Sequence, residues 1–108
     1  MPSLMKPVIA ALLGALLVPA GAGATESDAL AVKAGCSACH SKDKKILGPA
    51  YIAIAEKYRA DPNAASALAA KVRSGGKGVW GPLAMPPAPK AKVTDGELAS
   101  VIGWILRH

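Results

Sequence analysis

Cys36, Cys39 and His40 set two thiols and an imidazole at positions i, i+3 and i+4 of the chain. In a helical turn these positions share one face, so all three groups can meet one flat cofactor together. The run Cys36-Ser37-Ala38-Cys39-His40 has the form C-x-x-C-H, the attachment pattern of c-type haem. Two thiols add across two vinyl groups and leave thioether bonds, and the histidine binds iron from one side through a neutral ring nitrogen. The motif therefore predicts one haem c, attached through Cys36 and Cys39, with His40 on the iron.

Other chemistries use a C-x-x-C pair. A thioredoxin-like dithiol active in thiol–disulfide exchange belongs near a βαβ pattern, and this chain has no clear strand. A structural disulfide across three positions closes too small a loop to staple a domain. A zinc site needs two further ligands, but beyond His40 the chain has no Cys and only His108.

The first residues are not expected to join the fold. Lys6 gives a basic start, Pro7 to Val18 is almost wholly apolar, and Ala22-Gly23-Ala24 offers an A-x-A cleavage site. The apolar run is short for a span of about 20 residues, so a cleaved secretory signal over 1–24 is expected rather than a membrane anchor. The remaining domain, 25–108, has 84 residues. It contains no Phe, and its aromatic residues are Tyr51, Tyr58, Trp80 and Trp104. So small a core needs reinforcement, and a buried haem supplies a large apolar plate. Export also puts the chain outside the cytosol, in an oxidising compartment, where attachment requires the thiols to be kept reduced beforehand.

The whole chain carries 13 basic and 7 acidic side chains, a formal charge of +6. Loss of Lys6 with the signal leaves +5, and two ionised propionates lower this to about +3. A modest positive charge steers a protein toward acidic partners, and it serves solubility equally well. The basic residues are scattered and carry no nucleic-acid motif, so nucleic-acid binding is not expected.

Periodicity and caps predict four helices. Ser27 is the expected cap of the first, and Gly35 its stop. Pro49 is expected in the first turn of the second, which carries Tyr51, Ile54, Ala55 and Tyr58. Asp61-Pro62 is expected to open the third, with Leu68 and Val72 inside and Gly75 or Gly76 at its end. Thr94-Asp95-Gly96-Glu97 reads as a capping box for the last, which buries Leu98, Val101, Ile102 and Ile105. Between them, Gly75 to Val93 reads as a long Gly- and Pro-rich loop, a feature that in a small domain usually serves function.

That loop contains Met85, the only methionine after Met1 and Met5 leave with the signal. Pro82, Pro86 and Pro87 stiffen its surroundings, and a stiff loop can hold a weak thioether ligand against iron. The alternative second ligand is His108, the last residue, at a position where chains commonly fray. A His/Met pair would saturate the iron, favour the ferrous state and leave no position for substrate, which suits an electron carrier rather than an enzyme. A haem-based sensor or ligand-binding module would need an open iron site, and a peroxidase would need distal acid–base groups as well. No distal His or Arg lies near Met85 in the sequence.

With Gly35-Cys36-x-x-Cys39-His40, Leu47-Gly48-Pro49-Ala50-Tyr51, Gly78-Val79-Trp80-Gly81-Pro82 and Met85-Pro86-Pro87 in order, the chain resembles the short bacterial class I cytochromes c. Within them it is most similar to the periplasmic subgroup that donates electrons to haem-containing nitrite reductase. The resemblance covers essentially all of 25–108. It implies an all-α fold, with about four helices wrapped around one covalently bound haem whose edge is exposed. It implies His40 and Met85 as axial ligands. It further implies that the Pro49 carbonyl accepts the His40 ring proton, and that Trp80 and Lys71 reach a haem propionate, with Arg73 as the alternative to Lys71. The implied partners of such a monomer are periplasmic redox proteins such as a nitrite reductase, a peroxidase or a terminal oxidase. Lys42, Lys44, Lys45 and Lys77 are candidates to ring the exposed edge.

Overall fold

The computed structural model describes residues 26–108, together with Ser3 and Gly14. The expected signal segment, apart from those two positions, lies outside the described residues. Four α-helices follow in order: α1 (Glu26–Lys33), α2 (Tyr51–Tyr58), α3 (Ala64–Ser74) and α4 (Asp95–Leu106). Among the described residues no strand is longer than an isolated bridge pair.

α4 is the central element and packs against α1, α2 and α3. Its start is encoded locally. The Thr94 hydroxyl accepts from the Glu97 amide at 3.2 Å, and the Glu97 carboxylate accepts from the Thr94 amide at 3.0 Å. This reciprocal pair satisfies two donors that a helix start would leave without partners. Glu97 also receives Lys33 of α1 at 2.7 Å, and Asp95 receives Arg73 of α3 at 2.6 Å.

The lysine contact, followed by the Thr94 amide, holds the Glu97 carboxyl down at about 2 from an ordinary 4.5. A carboxyl with a depressed folded-state pKa stabilises fully above its unfolded value and loses that contribution as pH falls through the folded one. The stability difference between the wild type and Glu97→Gln is therefore expected to shrink as pH falls from above 4.5 to about 2. Denaturant titration across that range checks this, and a pH-independent difference would contradict it.

Three helix starts differ from the sequence expectation. Ser27 lies inside α1, whose first turn carries the acids Glu26 and Asp28 at the positive end of the helix dipole. Pro49 precedes α2 by two residues. Ala50 is the cap, in extended backbone, and the first amides of the helix are taken by loop carbonyls: Tyr51 by Ser41 at 2.8 Å and Ile52 by Lys42 at 3.0 Å. A distant loop thus supplies the cap that no local side chain gives. α3 begins at Ala64, because Asp61 makes a turn of its own by accepting the Asn63 amide at 2.8 Å.

The core gathers Ala34, Ala88, Val93, Leu98 and Ile102. Six of the twelve buried apolar residues are alanine, and no polar residue is buried among the described residues. Larger apolar side chains remain outside this core. Leu47, Val79 and Leu83 are 60%, 50% and 64% exposed, and all three face one cleft.

Candidate functional site

The cleft has a volume of about 350 Å³, within the usual range of about 300–1,000 Å³ for ligand sites. Leu98, Val101, Ile102 and Ile105 of α4 and Leu68 and Val72 of α3 contribute to its walls. Cys36, Cys39, His40, Pro49, Lys71, Trp80 and Met85 all line it. The candidate site residues, drawn from four segments of the chain, therefore converge.

The cysteine motif forms a single 3-10 turn over Cys36–Ala38, and the amides of Cys39 and His40 both reach the Cys36 carbonyl, at 3.1 and 2.9 Å. Both thiols are free. Burial pushes the Cys36 thiol above its ordinary pKa, against smaller opposing effects of its own backbone and of Lys92.

His40 is held from two directions. Its Nδ1 lies 2.7 Å from the Pro49 carbonyl, and since a carbonyl only accepts, Nδ1 carries the proton. The lone pair is then on Nε2, as a metal ligand requires. The ring also lies directly on the Gly48 backbone, where a Cβ would come within 2.6 Å of Cε1 and 2.9 Å of Nδ1. Pro49 stands outside α2 because its carbonyl is engaged here.

Met85 is held by its backbone. It forms an isolated antiparallel bridge with Gly76, its amide donating to the Gly76 carbonyl at 2.8 Å and its carbonyl accepting from the Gly76 amide at 3.1 Å. Gly75 makes this pairing possible. Its φ of +68° is left-handed, and a Cβ there would collide with the Met85 carbonyl and lie 2.9 Å from the Pro87 nitrogen. Sequence reasoning read Gly75 and Gly76 only as a helix stop. The paired glycines were the available signal, but their second role depends on a strand-like contact nine residues further on.

Arg73 is engaged elsewhere. Its guanidinium donates to the Ala88 and Val93 carbonyls at 3.2 and 2.8 Å and to Asp95, closing the end of the long loop onto α4. It does not line the cleft, whereas Lys71 does. Lys71 runs past Gly76, where a Cβ would stand 3.1 Å from its Cε. Trp80 is 39% exposed, with the Lys57 ammonium 5.7 Å from its ring centre. His108 lies outside the cleft lining and packs against Tyr51 and Trp104. Of the lysines considered for the rim, Lys45 and Lys77 line the cleft, while Lys42 makes a loose 3.8 Å pair with Asp28.

These residues fit a c-type haem. Two free thiols stand at attachment spacing, an imidazole is fixed in the tautomer that offers Nε2, a thioether is available, and exposed large apolar side chains line the cleft, as an apolar ligand requires. No group of three or more His, Cys, Asp or Glu side chains able to hold a metal ion occurs among the described residues.

Comparison with known proteins gives one consistent result. The sequence profile of the family described as Cytochrome c matches residues 24–108. Cytochrome c2 of Rubrivivax gelatinosus is 46% identical over 78 residues, covering 72% of this chain and 92% of the relative. Cytochrome c-551 of Pseudomonas aeruginosa is 38% identical over 104 residues, covering 94% and 97%. The crystal structure of Nitrosomonas europaea cytochrome c552 superposes with a TM-score of 0.66 at 42% identity, over 72% of this chain and 94% of that one.

Proposed function

The chain belongs to the cytochrome c family, and from that membership we propose that it carries single electrons between periplasmic redox proteins through a haem ligated by His40 and Met85. Family membership itself makes it a haem-based electron-transfer protein with one covalently bound haem c. The observation that carries the finer reading is the convergence of His40 and Met85 on one apolar cleft, each held by a separate backbone contact.

When bound, the haem supplies reversible one-electron iron chemistry. The chain's own residues do the rest. The Cys36 and Cys39 thiols would hold the haem by each adding S–H across a vinyl group, which needs no oxidant. His40 presents Nε2 because Nδ1 is committed to Pro49. Met85 offers a soft sulfur that favours the ferrous state and raises the potential. With His40 and Met85 both on the iron, no position would be left for water or substrate, which suits a carrier rather than an enzyme. The apolar walls disfavour the extra charge of the ferric state and act in the same direction. Lys71 and Trp80, which line the cleft, would serve the propionates, while Arg73 is occupied with the loop and α4.

The intact mass of the mature protein is expected to exceed that of its polypeptide by one haem, and acid–acetone should not extract the pigment. Its reduced and oxidised visible spectra should be those of a six-coordinate nitrogen–sulfur haem. An extractable haem, or a stable Cys36–Cys39 disulfide, would refute the attachment. A spectrum showing an open iron site would instead favour a ligand-binding module.

We further propose that 1–24 is a secretory signal removed on export and that the mature protein, 25–108, is a periplasmic monomer. No helix among the described residues is long and apolar enough to cross a membrane. Nitrite reductases, peroxidases and terminal oxidases are the partner classes. Lys45 and Lys77 line the cleft, so replacing both with Glu is expected to slow bimolecular electron transfer with an acidic partner, most strongly at low salt. Rates unchanged at low ionic strength would remove these lysines from docking.

A further inference from the structure

Tyr51 is 3% exposed, and its hydroxyl is buried with no partner at hydrogen-bond distance. Burial raises its pKa and the Ser37 side chain acts against that. With no hydrogen bond formed by the hydroxyl, the rings around it contribute to the position of this ring. His40 stacks on it with centroids 5.9 Å apart and planes 20° from parallel. Trp104 meets it edge-on at 5.2 Å, and His108 lies tilted against it at 5.7 Å. These separations lie in the range of about 4.5–7 Å over which aromatic rings attract. Trp104 and His108 in turn meet at 4.5 Å, nearly perpendicular.

His108 is firmly held. Its Nδ1–H donates to the Trp104 carbonyl at 2.9 Å, and its amide donates to the Ile105 carbonyl at 3.1 Å. Its own carbonyl accepts Arg59 Nη2 at 2.6 Å, and Arg59 Nε donates back to Ala55 of α2 at 3.3 Å. His108 thus joins the end of α4 to α2, the helix that begins with Tyr51.

We infer that His108 is a positioning residue for electron transfer: with Trp104 it holds Tyr51 against His40 and so fixes the rotation of the His40 ring. The hydrogen bond to Pro49 and the close Gly48 backbone hold the ring near Nδ1 and Cε1, and what rocking remains to the imidazole is rotation about its Cβ–Cγ bond. A ring packed on its face resists that rocking. The inference rests on the reading of His40 as an iron ligand. The rotation of an axial imidazole sets how the unpaired electron of ferric iron is distributed over the haem, so it is readable without any turnover measurement.

The test uses the purified holoprotein. Wild type, His108→Ala, His108→Phe and His108→Gln are compared in the ferric state by the proton shifts of the four haem methyl groups and by the anisotropy of the low-spin EPR signal. The far-red sulfur–iron band is recorded for each. Its absence from the wild type would overturn the His/Met ligation reading, separately from the present inference. With the band present, His108→Ala and His108→Gln are expected to change the spread of the methyl shifts, and His108→Phe, which keeps a ring, to restore it. Wild-type shifts and anisotropy in His108→Ala or His108→Gln, even with lowered thermal stability, would overturn the inference and leave His108 a structural residue only. Should His108→Ala fail to fold, the pair Phe and Gln decides alone: equal spectra for the two overturn the proposal.

Discussion

Met85→Ala is expected to keep its haem and lose its second ligand. Attachment depends on Cys36 and Cys39, which Met85 does not touch in sequence, so the mass of the holoprotein should fall only by the side-chain difference. The far-red sulfur–iron band should disappear. The reduction potential should drop, because the soft thioether that favours ferrous iron is gone and water can enter in its stead. Small ligands such as imidazole or cyanide, excluded from the wild type, should then bind, and weak peroxidase activity becomes accessible. Removing a buried methionine side chain costs about 2–5 kcal/mol, and the half-buried position of Met85 puts the packing loss near the lower end, with the lost iron bond in addition. A variant with the wild-type spectrum and potential would remove Met85 as ligand. His108 would be a poor replacement, since it lies outside the cleft lining with its ring committed to Tyr51 and Trp104.

Gly48→Ala should act from the other face of the site. A methyl group there would lie 2.6 Å from His40 Cε1 and 2.9 Å from Nδ1, distances that packed Cβ atoms essentially never show. The imidazole must move, and the 2.7 Å hydrogen bond to Pro49 moves with it. Overpacking of this kind typically costs about 1–3 kcal/mol. The expected holoprotein is less stable to denaturant, has an altered haem spectrum and accumulates at lower yield. Gly96→Ala is the control. Gly96 lies in the first turn of α4 with nothing within 4 Å of its added methyl, so it should be neutral or stabilising by up to about 1 kcal/mol. If Gly48→Ala behaves like Gly96→Ala, the close approach of His40 to this backbone has no functional weight.

The two variants divide between what a linear reading reaches and what it cannot. Local rules carried the capping box of α4, the break after α3 and the cysteine–histidine turn, because each depends on side chains within four residues of one another. The cofactor was legible for the same reason: C-x-x-C-H is a local geometry, and so few large apolar side chains in so short a domain imply a filler. Met85 stands as the candidate second ligand by elimination and by the prolines beside it. The starts of α2 and α3 were misplaced, because loop carbonyls at Ser41 and Lys42 cap the one and an Asp61 turn delays the other. A propensity argument sees neither contact.

What the tertiary structure alone decided is how His40 and Met85 are held. Nothing in the order of residues says that Gly48 must be bare because an imidazole rests on it, or that Met85 is fixed by pairing with Gly76. Arg73, the alternative to Lys71, is drawn away by Val93 and Asp95, 20 and 22 residues further along the chain. Sequence by itself determined which chemical groups are available, since thiols, imidazole and thioether are properties of residues. Their orientation is set by backbone carbonyls and glycine surfaces, which every chain possesses, and only folding brings those into register with a particular side chain.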